Sequence, residues 1–391
     1  MASKGICDRV AIVGMGCTPF GERWDKGADD LLVDAATEAY QSAQVDPDTV
    51  DAYWLGTAGS GTSGLMLSEA LKLPYKPVSR LENMCATGSE AMRNAAYAVA
   101  SGAYDLVMAI GVEKLKDSGF SGLTGSRPPS DGTQSNMTAP ANFSLLGPAY
   151  MKKYGVDEET LREVLTRIAW KNHKNGALNP KAQYQREVSK EKIEASPKVA
   201  GMLGIFDCSG VSDGSAAAIL CRAEDAHRYT DHPIFIKALS FVAGPSEGYL
   251  SQDYDFTTFP EVCVSAEDAY KQAGVTNPRE EISMAEVHDC FTPTELVLME
   301  DMGFSARGQA WKDILDGRFD ADGPQPINVD GGLKSFGHPI GASGLRMMYE
   351  MWLQLRGEAG ARQIVDPQLG LTHNLGGAPG RCVSFVAIVG Q

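Results

Sequence analysis

The sequence contains one heptapeptide pattern twice, as "AYQSAQV" at Ala39–Val45 and as "AYKQAGV" at Ala269–Val275. Both copies match A-Y-x-x-A-x-V, and both lie inside a stretch with the apolar spacing of a helix. Each copy is followed by a short polar link and a strand-like segment, "DAYWLGTA" from Asp51 and "MAEVHDCF" from Met284. This repetition indicates that the chain contains two related units.

The same order of elements continues beyond the repeated helices. "CATG" from Cys85 opens a small-residue helix in the first unit, and "HPIG" from His338 opens one in the second. A strand-like segment follows each helix, "YDLVMAIGV" from Tyr104 and "LGLTHNLGG" from Leu369. The shared order predicts an α/β fold of two duplicated βαβαβ-type halves related by a pseudo-twofold axis. The N-termini of equivalent helices can then face each other, which would place Cys85 beside His338.

The segment between the two units breaks the pattern. Residues 118–144 are rich in Gly, Ser, Pro and Thr, and helix-like stretches follow at roughly 146–155 and 158–174. This region looks like an excursion from the first half that could cover a ligand. The predicted domains are an N-terminal half with the nucleophile cysteine (1–115 with 200–228), a loop domain (116–199) and a C-terminal half (229–391).

Composition restricts the class of protein. The chain has 391 residues, 43% of them hydrophobic, so it can bury a large core. The net charge of −15 argues against nucleic acid and anionic membrane surfaces as partners. No apolar run approaches the roughly 20 residues that a membrane span needs. Eight scattered cysteines without a CxxC pair argue against a disulfide framework and a structural zinc site. We therefore expect a cytoplasmic protein with reduced thiols and no metal.

The charge is unevenly distributed along the chain. Residues 151–200 contain 11 Lys and Arg against 7 Asp and Glu, a local surplus of 4 positive charges. Such a run is either an ordinary solvated helical surface or a binding site for a small polyanionic ligand. The charge alone does not choose between these interpretations.

Cys85 is the first candidate for chemistry. A thiol at a helix N-terminus lies near unpaired backbone N–H groups and the positive end of the helix dipole, which would stabilise the thiolate. The same N–H groups can stabilise an oxyanion formed when a carbonyl is attacked. A buried structural cysteine is the alternative.

His338 is the second candidate, in "SFGHPIGASG". Gly337 and Pro339 fix the turn, and the small residues that follow leave space beside the helix. A histidine held in this way could take the proton of Cys85 or donate to a carbonyl oxygen. A structural histidine is the alternative.

Three further features are weaker signals. His288 and Cys290 in "EVHDCFTP" would point to one face of a strand, which suits proton transfer better than a metal site with only two ligands. "THNLGGAPG" at 372–380 is predicted to be a glycine-rich turn between two strands, and it lacks the pattern of a dinucleotide site. Its backbone could supply an oxyanion donor at Gly376 or Gly377; a plain hairpin turn is the alternative.

Taken together, these motifs resemble the thiolase family over essentially the whole chain. The resemblance rests on Cys85 in C-x-x-G, on "GHPIGA" from Gly337 and on the glycine-rich segment near the end. Ordinary thiolases carry Asn-Glu-Ala-Phe where this chain has "HDCF" from His288, and Cys-x-Gly where it has "NLG" from Asn374. One thiol is absent and another has appeared, as in the sterol-carrier-type and archaeal-type acetyl-CoA acetyltransferase subgroup.

The resemblance implies a role for each residue. Cys85 would be acylated, His338 would activate it and help hold the thioester oxygen of the enolate, and Cys290 would be the acid and base. His288 would replace the family's Asn in the first oxyanion site. The backbone N–H groups of Cys85 and Gly376 would form the second.

The resemblance also implies thiolysis of a 3-oxoacyl-CoA by CoA, or the reverse Claisen condensation, through an acyl-Cys85 intermediate. Coenzyme A would be a cosubstrate covered by the loop domain, with no permanently bound cofactor. Ser209 matches the serine that lies near the pantetheine in this family. The substrate would be acetoacetyl-CoA or a branched or aromatic 3-oxoacyl-CoA such as benzoylsuccinyl-CoA.

Two other functions are possible for a chain of this type. A 3-oxoacyl synthase would need a second histidine in a His-Gly-Thr-Gly-Thr segment, which this sequence lacks. A thiolase-like subunit could instead act only with a small partner that carries a zinc ribbon and an oligonucleotide-binding (OB) fold. The core would be a homodimer or a dimer of dimers.

Overall fold

The computed structural model describes residues 5–118 and 138–391 as a mixed α/β fold. The strands are β1 (Val10–Cys17), β2 (Ala52–Gly56), β3 (Val78–Leu81), β4 (Leu106–Glu113), β5 (Lys198–Ala200), β6 (Leu203–Gly204), β7 (Gly214–Arg222), β8 (Ile234–Ala243), β9 (Met284–Glu286), β10 (Leu369–Ala378) and β11 (Arg381–Gly390). Within the described ranges, nine strands form one sheet in the order β3-β2-β4-β7-β1-β8-β11-β10-β9, and β5 pairs with β6.

The strand order reads the same from the centre of the sheet in both directions. From β1 outwards, the N-terminal half continues with its last strand (β7), the preceding strand of the same sheet (β4) and β2, with β3 added at the edge. From β8 outwards, the C-terminal half continues in the same way with β11, β10 and β9. Antiparallel and parallel pairs also correspond, since β4–β7 matches β10–β11 and β2–β4 matches β9–β10. The predicted duplication is therefore confirmed, with the pseudo-twofold axis between the antiparallel pair β1 and β8.

Helices cover the sheet and build the connections. They are α1 (Ala28–Ala43), α2 (Leu65–Leu71), α3 (Thr87–Ala100), α4 (Ala139–Phe143), α5 (Leu146–Tyr154), α6 (Glu158–Ala177), α7 (Lys190–Glu194), α8 (Glu247–Leu250), α9 (Pro260–Ala273), α10 (Pro278–Glu281), α11 (Thr292–Asp301), α12 (Ala310–Leu315), α13 (Gly332–Ser335) and α14 (Ser343–Leu355).

The repeated heptapeptide occupies the same place in both halves. Its first copy ends α1, which follows β1, and its second copy ends α9, which follows β8. The alanines of the pattern are the reason, because Ala39 and Ala269 are fully buried against the sheet. Gly14 and Gly16 of β1 let α1 approach the strand closely: a Cβ on Gly16 would lie 2.2 Å from the carbonyl oxygen of Ala35.

The segment between β4 and β7 carries the predicted loop domain, of which residues 119–137 lie outside the described residues. The predicted helices at 146–155 and 158–174 are confirmed as α5 and α6. Asp157 caps α6, since its carboxylate accepts a hydrogen bond from the Thr160 amide at 2.8 Å. The division of the chain into three domains stays a prediction.

No helix in the described part of the chain is long and apolar enough to cross a membrane. The expected cytoplasmic location stays a prediction.

The helices α3 and α14, which are equivalent across the pseudo-twofold axis, are in contact at glycine residues. A Cβ on Gly88 of α3 would lie 2.7 Å from the Gly341 carbonyl oxygen, and one on Gly344 of α14 would lie 2.0 Å from Ser89 Oγ. On β4 beneath them, a Cβ on Gly111 would lie 2.0 Å from the same carbonyl oxygen of Gly341. The segment that begins α14 therefore passes over the first half with no room for a side chain.

We expect Gly111→Ala to lower the free energy of unfolding by at least about 1–3 kcal/mol, because the added methyl group meets backbone atoms that cannot move independently. Gly59→Ala is the matched control, since its Cβ would come no closer than 3.6 Å to a neighbour. Thermal and denaturant unfolding of both variants measure the difference. Equal unfolding curves for Gly111→Ala and the wild type would contradict the close contact.

Candidate active site

Cys85 lies in a sharp turn directly before α3. Met84 has φ 51°, a conformation that costs a non-glycine residue about 1–3 kcal/mol. Thr87 closes the turn, since its hydroxyl donates to the Met84 carbonyl oxygen at 2.6 Å and accepts from the Asn83 amide at 2.9 Å. The helix begins at Thr87 rather than at Cys85, so Cys85 lies just outside the first turn; the residue as a whole is partly exposed, but its thiol is buried.

His338 lies between α13 and α14 and is held in one tautomer. Its Nδ1 is 2.7 Å from Ser343 Oγ, and that hydroxyl donates to the Pro339 carbonyl oxygen at 3.0 Å. Because Ser343 has one hydroxyl hydrogen, its oxygen must accept from Nδ1–H of His338. Nε2 of His338 therefore carries a lone pair, and this buried atom has no hydrogen-bond partner among the described residues. Burial and the charge of Arg346 lower the pKa of His338 to about 3, which keeps the ring neutral at neutral pH.

His288 joins the site from a loop and not from a strand. The sequence predicts a strand through His288 and Cys290, but β9 ends at Glu286 and both residues lie in the connection to α11. The ring of His288 meets that of His338 edge to face, with centroids 5.3 Å apart. Burial and the neighbouring His338 lower the pKa of His288. The ligand atoms of Cys85, His288 and His338 all lie within 4.8 Å of one another.

Cys290 is the second sulfur of the site. Its side chain is buried, its Sγ lies 3.8 Å from Thr294 Oγ1, and its carbonyl oxygen accepts from the Ser209 amide at 2.8 Å. Burial raises the pKa of the Cys290 thiol, and repulsion from the nearby Cys85 raises it further. Cys290 is thus a protonated thiol, suited to giving a proton and taking it back.

The expectation of a stabilised Cys85 thiolate is wrong for the resting site. Burial raises the pKa of the Cys85 thiol to about 12, and the carboxylates of Glu113 and Glu82 contribute to the shift. A backbone hydrogen bond lowers the pKa of the thiol, but it is the smallest of these contributions. The resting site therefore combines a neutral thiol with two neutral imidazoles.

The glycine-rich segment 372–380 is mostly strand, not turn as the sequence predicts, since β10 continues to Ala378. At Gly376, β10 passes the turn that holds Cys85 so closely that there is no room for a side chain. A Cβ at this position would lie 2.8 Å from the Asn83 carbonyl oxygen. The backbone of Gly376 is therefore next to the nucleophile turn.

A cavity of about 390 Å³ opens beside this cluster. His338 and Phe291 line the cavity together with Ser209 and Gly210. The segment with Ser209 runs between the loop of Cys290 and the loop of His338, since Cys208 pairs with Phe291 and Val211 pairs with His338. The predicted CoA residue Ser209 thus lies in the same cavity as the predicted base.

Cys85, His288 and His338 are also residue types that bind zinc, and their spacing would allow it. The sequence predicts no metal, and this stays a prediction.

Sequence reasoning missed two residues of the site. Ser343 follows His338 by five positions inside the quoted signature, so its hydroxyl was available as a signal. Glu113 ends β4, and its buried carboxylate accepts from Ser60 Oγ at 2.7 Å and from the Gly59 amide at 3.2 Å. No local pattern marks Glu113, because its partners come from another strand connection.

Comparison with known proteins agrees with this geometry. Residues 10–224 match the family described as Thiolase, N-terminal domain, and residues 244–389 match Thiolase C-terminal domain-like. The chain is 37% identical to acetyl-CoA acetyltransferase of Methanothermobacter thermautotrophicus, over 95% of this chain and 97% of the relative. It is 33% identical to sterol carrier protein 2 of Homo sapiens, over 94% of this chain and 70% of that protein.

Solved structures show the same fold. The Ltp2-ChsH2(DUF35) aldolase has a TM-score of 0.83 and 25% identity, over 99% of this chain and 98% of the other. The Acat5 thiolase from Ascaris suum in complex with coenzyme A has a TM-score of 0.70 and 18% identity, over 98% and 100% of the two chains; this second likeness concerns the fold alone.

A Cys–His site on a duplicated α/β fold and matches over nearly the whole chain define an acyltransferase. The chain belongs to the thiolase family, and its relatives are of the sterol-carrier and archaeal type that the sequence predicts. Thiolases use CoA as a substrate and need no permanent cofactor.

We expect the rate of Cys85 alkylation by iodoacetamide to rise from about pH 7 to about pH 10 without a plateau. A thiol whose pKa is raised to about 12 gains thiolate only as the pH approaches that value. Peptide mass spectrometry at each pH gives the rate, with glutathione as the reference thiol. A plateau near neutral pH would mean that the site does stabilise the thiolate.

Proposed function

We propose that this chain is a thiolase that cleaves a 3-oxoacyl-CoA with CoA, or runs the reverse Claisen condensation, through an acyl-Cys85 intermediate. The observation that carries the proposal is the unprotonated Nε2 of His338 in a cluster with Cys85 and His288 whose ligand atoms lie within 4.8 Å. The substrate is acetoacetyl-CoA or a larger 3-oxoacyl-CoA.

The first step forms the acyl-enzyme. Nε2 of His338 takes the proton of the Cys85 thiol while the sulfur attacks the 3-keto carbon. Proton transfer at the moment of attack is required, because the resting thiol has a raised pKa. The amides of Cys85 and Gly376 stabilise the oxyanion, in line with the position of β10 beside the nucleophile turn.

The second step breaks the bond between the α-carbon and the former keto carbon. The electron pair of this bond passes to a thioester enolate, whose oxygen is held by His288 and the now protonated His338. The Cys290 thiol gives its proton to the α-carbon, and acetyl-CoA leaves. The raised pKa of Cys290 suits this role, since the proton is still present when the enolate forms.

The third step transfers the acyl group from Cys85 to free CoA. The CoA thiol loses its proton to the Cys290 thiolate, and its sulfur attacks the carbonyl carbon of the acyl group. The bond from this carbon to the Cys85 sulfur breaks, and the Cys85 thiolate that leaves recovers its proton from His338. CoA enters by the cavity beside Ser209, and the loop domain covers its nucleotide end. The positive surplus of residues 151–200 suits its phosphates.

A second candidate function comes from the assembly of a structural relative. The Ltp2-ChsH2(DUF35) aldolase joins a chain of this fold to a second protein. This chain, a homodimer or a dimer of dimers at its core, would likewise act with a small zinc-ribbon and OB-fold partner. An aldolase reaction would leave no acyl group on Cys85, so a search for the acyl-enzyme distinguishes an aldolase from a thiolase.

We expect mixing the pure chain with 3-oxoacyl-CoAs, in the absence of free CoA, to add one acyl group per chain at Cys85. The panel runs from acetoacetyl-CoA to branched and aryl compounds, and intact-mass spectrometry with peptide mapping locates the adduct. Cys85→Ala should show no adduct and lose thiolysis with its fold intact. An adduct elsewhere, or near-normal activity of Cys85→Ala, would refute the proposal.

We expect Cys290→Ser to accept an acetyl group from acetyl-CoA on Cys85 but to lose roughly 10²–10⁴-fold in condensation, because the hydroxyl is too weak an acid and base. The mass of the acyl-enzyme and the rate of acetoacetyl-CoA formation measure the two steps separately. Cys221→Ser is the control, since that buried thiol of β7 donates to the Arg222 carbonyl oxygen at 3.2 Å and lies in a different hydrophobic cluster from Cys290. Normal condensation by Cys290→Ser would assign the proton transfer to another group.

A further inference from the structure

The cavity contains cationic and polar groups that the proposed chemistry does not use. Lys334 and His173 line it together with His338 and Phe291. Neither Lys334 nor His173 takes part in acylation, bond cleavage or transfer to CoA. Their place beside the reacting groups raises the question of which part of a substrate they meet.

Lys334 has a buried amine without a carboxylate ion-pair partner among the described residues. Its side chain is 1% exposed, and its Nζ donates to the Cys208 carbonyl oxygen at 3.3 Å. In the parts of the chain that the structure describes, no carboxylate forms an ion pair with Lys334. A buried ammonium group normally has such a partner.

The acidic groups around Lys334 are already engaged. Asp207 accepts two hydrogen bonds from Arg162, each at 2.8 Å, and a third from Thr292 at 2.7 Å. Glu295 forms an ion pair with Lys171 at 3.0 Å.

The third acidic group, Asp289, accepts from the Asn172 amide at 2.8 Å and from the backbone of the segment that carries Lys334. These carboxylates contribute to the field at Lys334 from a distance but leave its Nζ free for a ligand.

His173 completes the polar side of the cavity. It lies on α6, is 4% exposed, and its Nδ1 has no hydrogen-bond partner within the described ranges. Phe206 and Tyr184 hold the ring, with centroids 5.5 Å and 6.1 Å away. A neutral imidazole fixed in this way offers one N–H donor.

We propose that the cavity binds 3-oxoacyl-CoA substrates whose acyl part carries a carboxylate, with Lys334 as its counter-ion and His173 as a hydrogen-bond donor. The inference rests on the proposed thiolase function and specifies its substrate class. A carboxylate would give the buried amine the partner that the described residues do not supply, and its second oxygen would be the acceptor for the N–H of His173.

The physical reason is the state of Lys334 without substrate. Burial lowers the pKa of its amine, and the surrounding carboxylates offset this only in part. A bound carboxylate would stabilise the charged ammonium form in a site with low dielectric, where such pairs are strong. A neutral acyl group would leave the amine without its partner.

An anionic ligand could also be one of the phosphates of CoA. The two sources differ in one respect, since the phosphates are common to every acyl-CoA whereas the carboxylate is not. A comparison of substrates that differ only in the carboxylate therefore distinguishes them.

The test measures kcat/KM for thiolysis with two matched pairs of substrates. The first pair is 3-oxoadipyl-CoA and 3-oxohexanoyl-CoA, which differ at the end of the chain. The second pair is a 3-oxobutanoyl-CoA with a carboxymethyl or an isobutyl branch at the α-carbon. We expect kcat/KM to be at least about tenfold higher for the substrate with the carboxylate than for its neutral counterpart, in one pair or both.

Lys334→Met should lower that ratio at least about tenfold, because methionine keeps the length of the side chain without its charge. His173→Phe should lower the ratio too, and it retains the ring between its aromatic neighbours. The exposed Lys312→Met is the control and should leave the ratio unchanged.

Each outcome decides a different claim. If the neutral member is cleaved as well as the charged one in both pairs, the substrate class is wrong while the thiolase function stands. If Lys334→Met slows both members equally, the cation serves a CoA phosphate or the fold, and the proposal is again overturned. If neither these compounds nor acetoacetyl-CoA is cleaved or forms an acyl-Cys85 adduct, the proposed function itself fails. The wild-type ratio decides the substrate class even if both variants fail to fold.

Discussion

The site depends on a backbone contact without side chains between the two halves of the chain. The carbonyl oxygen of Gly341, three residues after His338, leaves no room for a side chain on the other half. It would lie 2.7 Å from a Cβ on Gly88 and 2.0 Å from a Cβ on Gly111. Gly88 belongs to the helix that follows Cys85, so this contact fixes Cys85 relative to His338. Methyl groups here would separate the halves by more than a hydrogen bond tolerates. Two sequence positions far apart become neighbours because glycine occupies both sides of the contact.

Sequence patterns predicted those parts that local spacing encodes. The repeated heptapeptide placed α1 and α9 in equivalent positions, and the small residues after Cys85 and His338 indicated facing helix starts. The turn at Met84 left no such signal, because its positive φ is imposed by Thr87 and the strand beside it. His288 was misplaced in a strand for a related reason. Its apolar neighbours satisfy a strand pattern, while β9 ends earlier, after pairing through Glu286 with β10.

The electrostatics of the site could not be predicted, since they depend on burial and on charges from distant segments. Arg346 of α14 is fully buried and pairs with Asp330 and, at 3.0 Å, with Glu286. Removing one member of such a group costs about 3–5 kcal/mol. Burial and Asp330 raise the pKa of Glu286, while Arg346 helps to lower that of His338. The network thus anchors α14 beneath the site and keeps the base unprotonated.

In the proposed function, the neutral pair Cys85 and His338 and the buried amine of Lys334 have different roles within one cavity. Cys85 and His338 hold no charge at rest, so charge develops only when a proton moves between them during attack. Groups arranged around that position stabilise the charge without first having to reorganise. Lys334 works in the opposite way, because its burial is unfavourable until a ligand supplies the counter-charge. Orientation of the substrate would then come from the acyl carboxylate and reactivity from the cysteine. Under the proposed function, a change at Lys334 would alter which acyl group is bound and would leave the Cys85–His338 pair in place.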